Sequence, residues 1–362
     1  MALKKTTLLE RKSFMKKSLF VCFVCVVVFC NSCSITKKQN QKTDYATENI
    51  KCSKDVFAMD TYMSFTAYGG HAEEAVNAAE AEIKRLDTLW SVSSQEGEIY
   101  KLNKNGQQRI SKDTKKLLTY ASKIYKTTDG AFDITVYPLM DLWGFTSGKY
   151  RVPTTKEIQK NLELVNQGQL MYDKEKENLT LGTGQKVDLG AIAKGFASAR
   201  IMEIWKEKGV NSGVVSLGGN VQVLGKKPDG SMWNVGIKRP NRQEEDLIGT
   251  LSLENKAVIT SGGYERYFEN KGKIYHHILD TKTGYPAEKG LASVTIISGD
   301  GTLADGLSTA LFVMGKEKAI TYWKEYVKKF DMILVTEEGS VIVTEGVKNC
   351  FTSAEKVEVV ER

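Results

Sequence analysis

The chain reads as an α+β protein with a largely antiparallel sheet and helices packed outside it. Three observations lead there: strand-like segments outnumber helical ones, many strands follow one another across hairpin-length turns, and the clearest helical stretch carries a single apolar stripe suited to lying on a sheet. A folded region of roughly three hundred residues can bury a large core, as one domain or two joined lobes. No internal repeat is visible.

The elements follow in order. Residues 56–68 alternate apolar and polar around Met59-Asp60-Thr61, a strand interrupted at its start, and 72–89 is helical, with Ala75, Ala78, Ala79, Ile83, Leu86 and Leu89 on one stripe. A second helical pattern at 114–127 carries Leu117, Leu118, Ala121 and Tyr125 and closes at the Asp129-Gly130 turn. Residues 131–136 form a short β-branched run that leads to Pro138 and the aromatic stretch Leu142-Trp143-Gly144-Phe145. A helix at 155–165 and a hairpin over 169–181 come next, then a helix at 193–208 that ends at Gly209. Strands are expected at 213–217, 221–224, 233–238, 250–253, 257–260, 266–268, 273–279 and 293–298. Helices at 302–314 and 316–328 and strands at 332–336 and 341–344 complete the pattern.

The first 33 residues are expected to be a processed leader. Lys4, Lys5, Arg11, Lys12, Lys16 and Lys17 give a basic start, residues 19–30 are an apolar run too short to span a bilayer comfortably, and Cys33 follows. Cys30-Asn31-Ser32-Cys33 is a loose lipobox, so the expectation is export with lipid on Cys33 and a membrane tether facing the periplasm; a plain signal peptide or an uncleaved anchor is the alternative. Residues 34–50 read as a solvated linker, and the folded domain as 51–362. The formal charge is +7, but without the leader's six basic residues and one acid, 45 basic face 43 acidic residues, a balance of +2 that offers no electrostatic case for nucleic acid. Cys52 and Cys350 alone remain after the leader, too few for a zinc site; as a hypothesis they pair and tie the ends of the domain.

Chemistry concentrates in Val187-Asp188-Leu189-Gly190-Ala191-Ile192-Ala193-Lys194-Gly195. Two glycines bring bare backbone close to a ligand beside opposite charges, a composition that suits a phosphate and its metal, although strand-to-helix junctions also carry glycine for structural reasons. Asp305 and Thr309 stand four apart, so on a helix both project from one face and offer hard oxygens of the kind magnesium takes; helix capping by Asp305 is the plainer alternative. Tyr275-His276-His277-Ile278-Leu279-Asp280 holds two of the three histidines. Neighbours in a strand diverge, so one of them as a general base is a better reading than a metal pair, with a hydrogen-bonded structural histidine as the alternative. Leu217-Gly218-Gly219-Asn220 and Ser261-Gly262-Gly263-Tyr264 each end a strand in paired glycines, where a ligand or another backbone can approach.

Taken in order, Ala58-Met59-Asp60-Thr61, residues 130–136, 187–195, 217–220, 260–268, 275–287 and 304–310 resemble the ApbE family of periplasmic, magnesium-dependent FAD:protein FMN transferases. The likeness runs from Phe57 to about Met314. It implies a T-fold-like, two-lobed single catalytic domain. It also implies magnesium held by Asp305, Thr309 and the carbonyl of Ala191, and FAD lying against Met59, Trp90, Ala131, Phe132, Asp133, Asp188, Lys194 and Leu279. The family usually has Gly where Asp60 stands, often Asp where Gly263 stands and commonly Ala where Gly306 stands. The implied activity is cleavage of FAD at its pyrophosphate, release of AMP and attachment of FMN through a phosphoester to a Thr or Ser of a partner. Lys194 would neutralise charge, and His277, less so His276, would take the proton, with Asp280 as the alternative base. Family targets carry Asp-x-x-Ser/Thr-Gly-Ala-Ser/Thr, which this chain lacks, so the expected partners are flavin-bearing subunits of redox membrane complexes of the NQR and RNF type. Two other readings stay open: an FAD pyrophosphatase that passes FMN to water, and a flavin-binding lipoprotein without chemistry.

Overall fold

The computed structural model describes residues 50–240, 246–326 and 329–362, so the expected leader and nearly all of the linker lie outside the described residues. The segment around Met59 is two strands rather than one: β1 (Lys51–Ala58) and β2 (Thr61–Tyr68) pair antiparallel, with Ala58 opposite Thr61 across a two-residue turn. β6 (Ser212–Leu217), β7 (Asn220–Leu224), β10 (Ala257–Gly262), β13 (Leu291–Ser298), β14 (Phe330–Thr336), β15 (Val341–Thr344) and β17 (Val357–Val360) extend this hairpin into a nine-stranded sheet of order β1-β2-β6-β7-β10-β13-β14-β15-β17. Every neighbouring pair is antiparallel except β15 with β17.

Helices cover one face of this sheet. Alanines and large aliphatics of α1 (Ala72–Trp90), α3 (Lys112–Thr127), α6 (Ala193–Glu207) and α7 (Gly301–Met314) share one cluster with Met63, Phe65, Val215, Leu217, Val294 and Ile296 of the sheet. The opposite face is covered by a second sheet of β8 (Trp233–Lys238), β9 (Leu247–Leu253) and β16 (Phe351–Thr352), whose Val235, Ile237 and Leu251 pack on Val258, Ile297 and Ile333. Helices outside the sheet therefore describe only one side. With both faces covered, β13 and β14 are buried almost throughout.

Four local differences from the sequence pattern have plain causes. The β-branched run at 134–136 is a 3₁₀ turn, because the Asp133 carboxylate captures the Thr135 amide at 2.7 Å and starts the chain helically into α4 (Tyr137–Trp143), with Pro138 in its first turn. α2 (Glu98–Asn105) turns Ile99 and Leu102 into the core, and α5 (Thr155–Leu162) stops short of Val165. β12 (Lys273–His276), paired with β11 (Tyr267–Asn270), ends before His277, since residues 280–285 fold into a tight turn. Cys52 and Cys350 are free thiols that pack in different clusters, so the expected pairing is not formed. Among the described residues no helix is long and apolar enough to cross a membrane. A small antiparallel sheet, in which β5 (Asn178–Thr180) lies between β3 (Gln107–Arg109) and its hairpin partner β4 (Met171–Asp173), and α8 (Lys316–Glu325) complete the described chain as one compact unit.

The central element is α7. Its polar residues Asp305 and Ser308 are as buried as Leu307, Leu311 and Phe312, and it crosses the start of α6 where Gly195 lies against the Gly301 carbonyl and the Asp305 Cβ. A side chain on Gly195 has nowhere to go except into the backbone of α7. Gly195→Ala should therefore destabilise the protein by about 1–3 kcal/mol through overpacking, measurable as a lower urea midpoint; unchanged stability would mean that the two helices are not in contact there.

Candidate functional site

The start of α6 and the middle of α7 form an oxygen-rich corner. Asp305 Oδ2 accepts the Gly195 amide at 2.7 Å and Oδ1 accepts the Asn220 side-chain amide at 3.0 Å. The Gly195 N–H is thus directed to α7 and not back along its own chain to the Ala191 carbonyl. One turn on from Asp305, Thr309 Oγ1 lies 3.2 Å from Ser261 Oγ, which in turn meets Ser308 Oγ at 2.8 Å. Asp305 is only 4% exposed, and burial raises its pKa against the opposing pull of the Lys194 charge. Among the described residues Asp305 and Lys194 make no ion pair within 4.0 Å.

A buried carboxylate without a neutralising partner calls for a cation. Its oxygens accept amide hydrogen bonds and keep lone-pair capacity, and Thr309 carries a hydroxyl one turn along the same helix. This is a hard-oxygen set suited to a small divalent ion. No group of three His, Cys, Asp or Glu gathers among the described residues, as expected for a corner that contains a single acid. The capping alternative for Asp305 is not what the structure has, since Asp300 caps α7 by accepting the Leu303 amide.

The two histidines separate cleanly. His276 has Nε2 3.2 Å from the Ala287 carbonyl and Nδ1 accepting the Ile278 amide at 3.3 Å, with its ring edge-on to Phe312 in the space that Gly263 leaves open. Both of its nitrogens serve the fold. His277 donates its backbone N–H to the Arg266 carbonyl, and its Nδ1 lies 3.0 Å from that same oxygen. With Nδ1–H spent on a carbonyl, Nε2 carries the free lone pair that a base requires. Burial and the Arg266 charge lower the His277 pKa to about 3, so the ring is neutral at ordinary pH.

On the stretch that leads into α6, Asp188 Oδ1 accepts the Gly190 amide at 2.6 Å. Burial raises its pKa, opposed by the charges of Arg266 and Lys194. The same two cations act on His277, so Asp188 and His277 both lie within electrostatic reach of Lys194 and Arg266. Met59 lies in the β1–β2 turn, where Met59 (φ 48°) and Asp60 (φ 60°) both take left-handed backbone. A Gly is the usual occupant of such a position; here the Asp60 carboxylate meets Arg266 Nη2 at 3.0 Å.

Other expected residues are placed differently. Trp90 is buried, donates its indole N–H to Thr114 and packs edge-on against Phe196, so its polar end is spent in the core. Asp133 uses both oxygens on Thr135 and the Gln167 amide. Asp280 accepts the Lys282 amide and lies 3.5 Å from Lys289, so it organises its own turn. Phe132 and Leu279 are buried, and Ala131 borders a cleft shared with Asp280, Thr281 and Lys282. Thr281 Oγ1 donates to the Gly130 carbonyl at 2.6 Å and fastens these two blocks together. Sequence reasoning did not single out Asn220, Ser261 or Arg266. The only signal available was that Asn220 and Ser261 border the paired glycines at two strand ends and Arg266 follows closely after the second.

Known proteins resemble this chain in sequence and in fold. The chain is 33% identical over 278 residues to the FAD:protein FMN transferase of Klebsiella pneumoniae strain 342, covering 76% of this chain and 86% of that one. It is 33% identical over 280 residues to the protein of the same name from Haemophilus influenzae, covering 75% and 81%. The crystal structure of the ApbE protein of Thermotoga maritima superposes with a TM-score of 0.78 at 35% identity, over 83% of this chain and 99% of that one. The apo flavinyl transferase ApbE of Pseudomonas stutzeri gives a TM-score of 0.75 at 29% identity, over 85% and 98%. With the family's sequence pattern matched across residues 59–334, the chain belongs to the ApbE family.

Proposed function

We propose that this chain, a flavin transferase by its family, moves FMN from FAD to a Thr or Ser hydroxyl of a target protein in a magnesium-dependent reaction that releases AMP. The observation that carries the proposal is the buried Asp305 carboxylate, held between the Gly195 and Asn220 amides one turn before Thr309, with Lys194 and Asp188 close by. Asp305, Thr309 and the Ala191 carbonyl would hold the ion. A bound Mg²⁺ supplies Lewis-acid stabilisation of charge on the phosphate oxygens. The acceptor hydroxyl oxygen attacks the phosphorus on the flavin side of the diphosphate; the new P–O bond forms as the bond to AMP breaks, and the hydroxyl proton passes to His277 Nε2. Lys194 offsets charge on the phosphate, and Arg266 holds the imidazole in register through its carbonyl. Met59, Ala131, Phe132 and Leu279 supply apolar surface at the edges. The partners are flavin-accepting subunits that carry the Asp-x-x-Ser/Thr-Gly-Ala-Ser/Thr motif, with redox complexes of the NQR and RNF type as the natural class. The basic leader and Cys33 support an exported enzyme tethered by lipid on the periplasmic side.

Incubation of the full chain with FAD, Mg²⁺ and a peptide bearing the acceptor motif should add the mass of FMN to the peptide and release AMP. Free FMN with AMP would favour the pyrophosphatase, and chelator-insensitive FAD binding without AMP would favour a flavin carrier. Mg²⁺ should raise the melting temperature of the wild type at neutral pH and leave Asp305→Ala unaffected; an equal rise in both would remove the metal assignment. His277→Ala should lose about 10²–10⁴-fold in transfer rate. Because protonation of His277 is opposed by burial and by Arg266, with Lys194 and His276 adding to it, the base form persists as pH falls. The kcat/KM for FAD should then stay nearly level from about pH 8 to pH 5, where a base of ordinary histidine pKa would lose about thirty-fold; such a loss would exclude His277 as the base.

A further inference from the structure

We propose that Arg266 is a second cation for the diphosphate of the flavin substrate, and that Asp60 is a stand-in anion that holds its guanidinium until the diphosphate arrives. The inference rests on the reading of the site given above. Arg266 lies in the loop between β10 and β11, and its backbone is fixed beside the base, since its carbonyl receives both the His277 amide and Nδ1. From there its charge reaches Asp188 and His277, the two groups that Lys194 also reaches from the first turn of α6. Two cations on different elements therefore act on the same two groups. Only one of them is fixed to a carboxylate.

That carboxylate is a weak competitor. Arg266 Nη2 meets Asp60 Oδ2 at 3.0 Å and Nη1 reaches the Phe145 carbonyl at a long 3.3 Å, leaving guanidinium donors to spare. The Asp60 side chain is 79% exposed and that of Arg266 39%, so the pair is well hydrated and screened by salt. Asp60 makes no other ion pair among the described residues. A diphosphate offers adjacent anionic oxygens matched to the planar guanidinium, which a single exposed carboxylate does not. Asp60 also sits at φ 60°, where glycine costs least, so its side chain is kept at a position whose backbone does not favour it. Among the described residues its one hydrogen-bonding side-chain partner is Arg266.

The test is equilibrium binding of FAD, and separately of ADP as a flavin-free diphosphate, to the full chain in excess chelator, so that neither metal nor turnover enters. Arg266→Ala should weaken both ligands about tenfold or more, and Arg266→Lys, which keeps the charge but loses the planar fork, should fall between. Asp60→Asn should tighten both several-fold at low ionic strength, with the gain fading toward about 0.5 M salt. Wild-type affinity in a folded Arg266→Ala, or no tightening in Asp60→Asn, would overturn the proposal, as would an Arg266→Ala defect confined to FAD, which would place the guanidinium against the flavin. Should Arg266→Ala fail to fold, Asp60→Asn decides, because the exposed residue leaves the core intact. If the binding shifts appear while no FMN reaches the acceptor peptide, the transfer reading fails and the anion site stands.

Discussion

The site depends on one buried carboxylate. Asp305 sits in the middle of a helix that is enclosed on nearly every side, and the low polarity around it makes its charge expensive unless its oxygens are gripped. The grip comes from two directions, an amide at the start of α6 and a side-chain amide at the β6–β7 turn, so the same acid that can gather a cation also registers helix against helix and helix against sheet. Close contact between Gly195 and α7 is what lets the first of these bonds reach 2.7 Å. Stability and chemistry therefore share atoms here.

Around this point the chain is economical. The stretch from Ser261 to Arg266 links several parts of the site: Ser261 bridges to Thr309, Gly263 leaves room for the His276 ring, and Arg266 orients His277 and reaches the β1–β2 turn. The two neighbouring histidines, alike in sequence, are given opposite duties by their backbone partners alone. His276 has both nitrogens engaged, whereas His277 has one committed and one available.

Much of this could be read before any coordinates. Residues 187–195 and the Asp305–Thr309 pair stood out because residue type and helical spacing both pointed at a phosphate and a hard cation, and the structure brings the two stretches into contact. The antiparallel sheet was legible from alternation and turn chemistry. Asn220 was not, since its partner lies 85 residues away and a local pattern holds no information about that encounter. Arg266 was hidden for the same reason, being separated from Asp60 by 206 residues. The turn at 134–136 misled through its β-branched residues, because a single aspartate side chain outweighed their propensity. The second sheet went unseen because strands that are buried on both faces do not say what covers them.

The two halves of the site are built to different stiffness. The oxygen corner belongs to the main core, while His277, the proposed base, follows directly on β12, which with β11 forms a ribbon of two short strands steadied by Phe268, Tyr275 and Tyr150 stacked beside Trp143. Short two-stranded ribbons are only marginally stable by themselves. In hydrogen-exchange language His277 and the oxygen corner sit on separate rungs of local opening, so fraying of one strand pair can displace the first and leave the second closed.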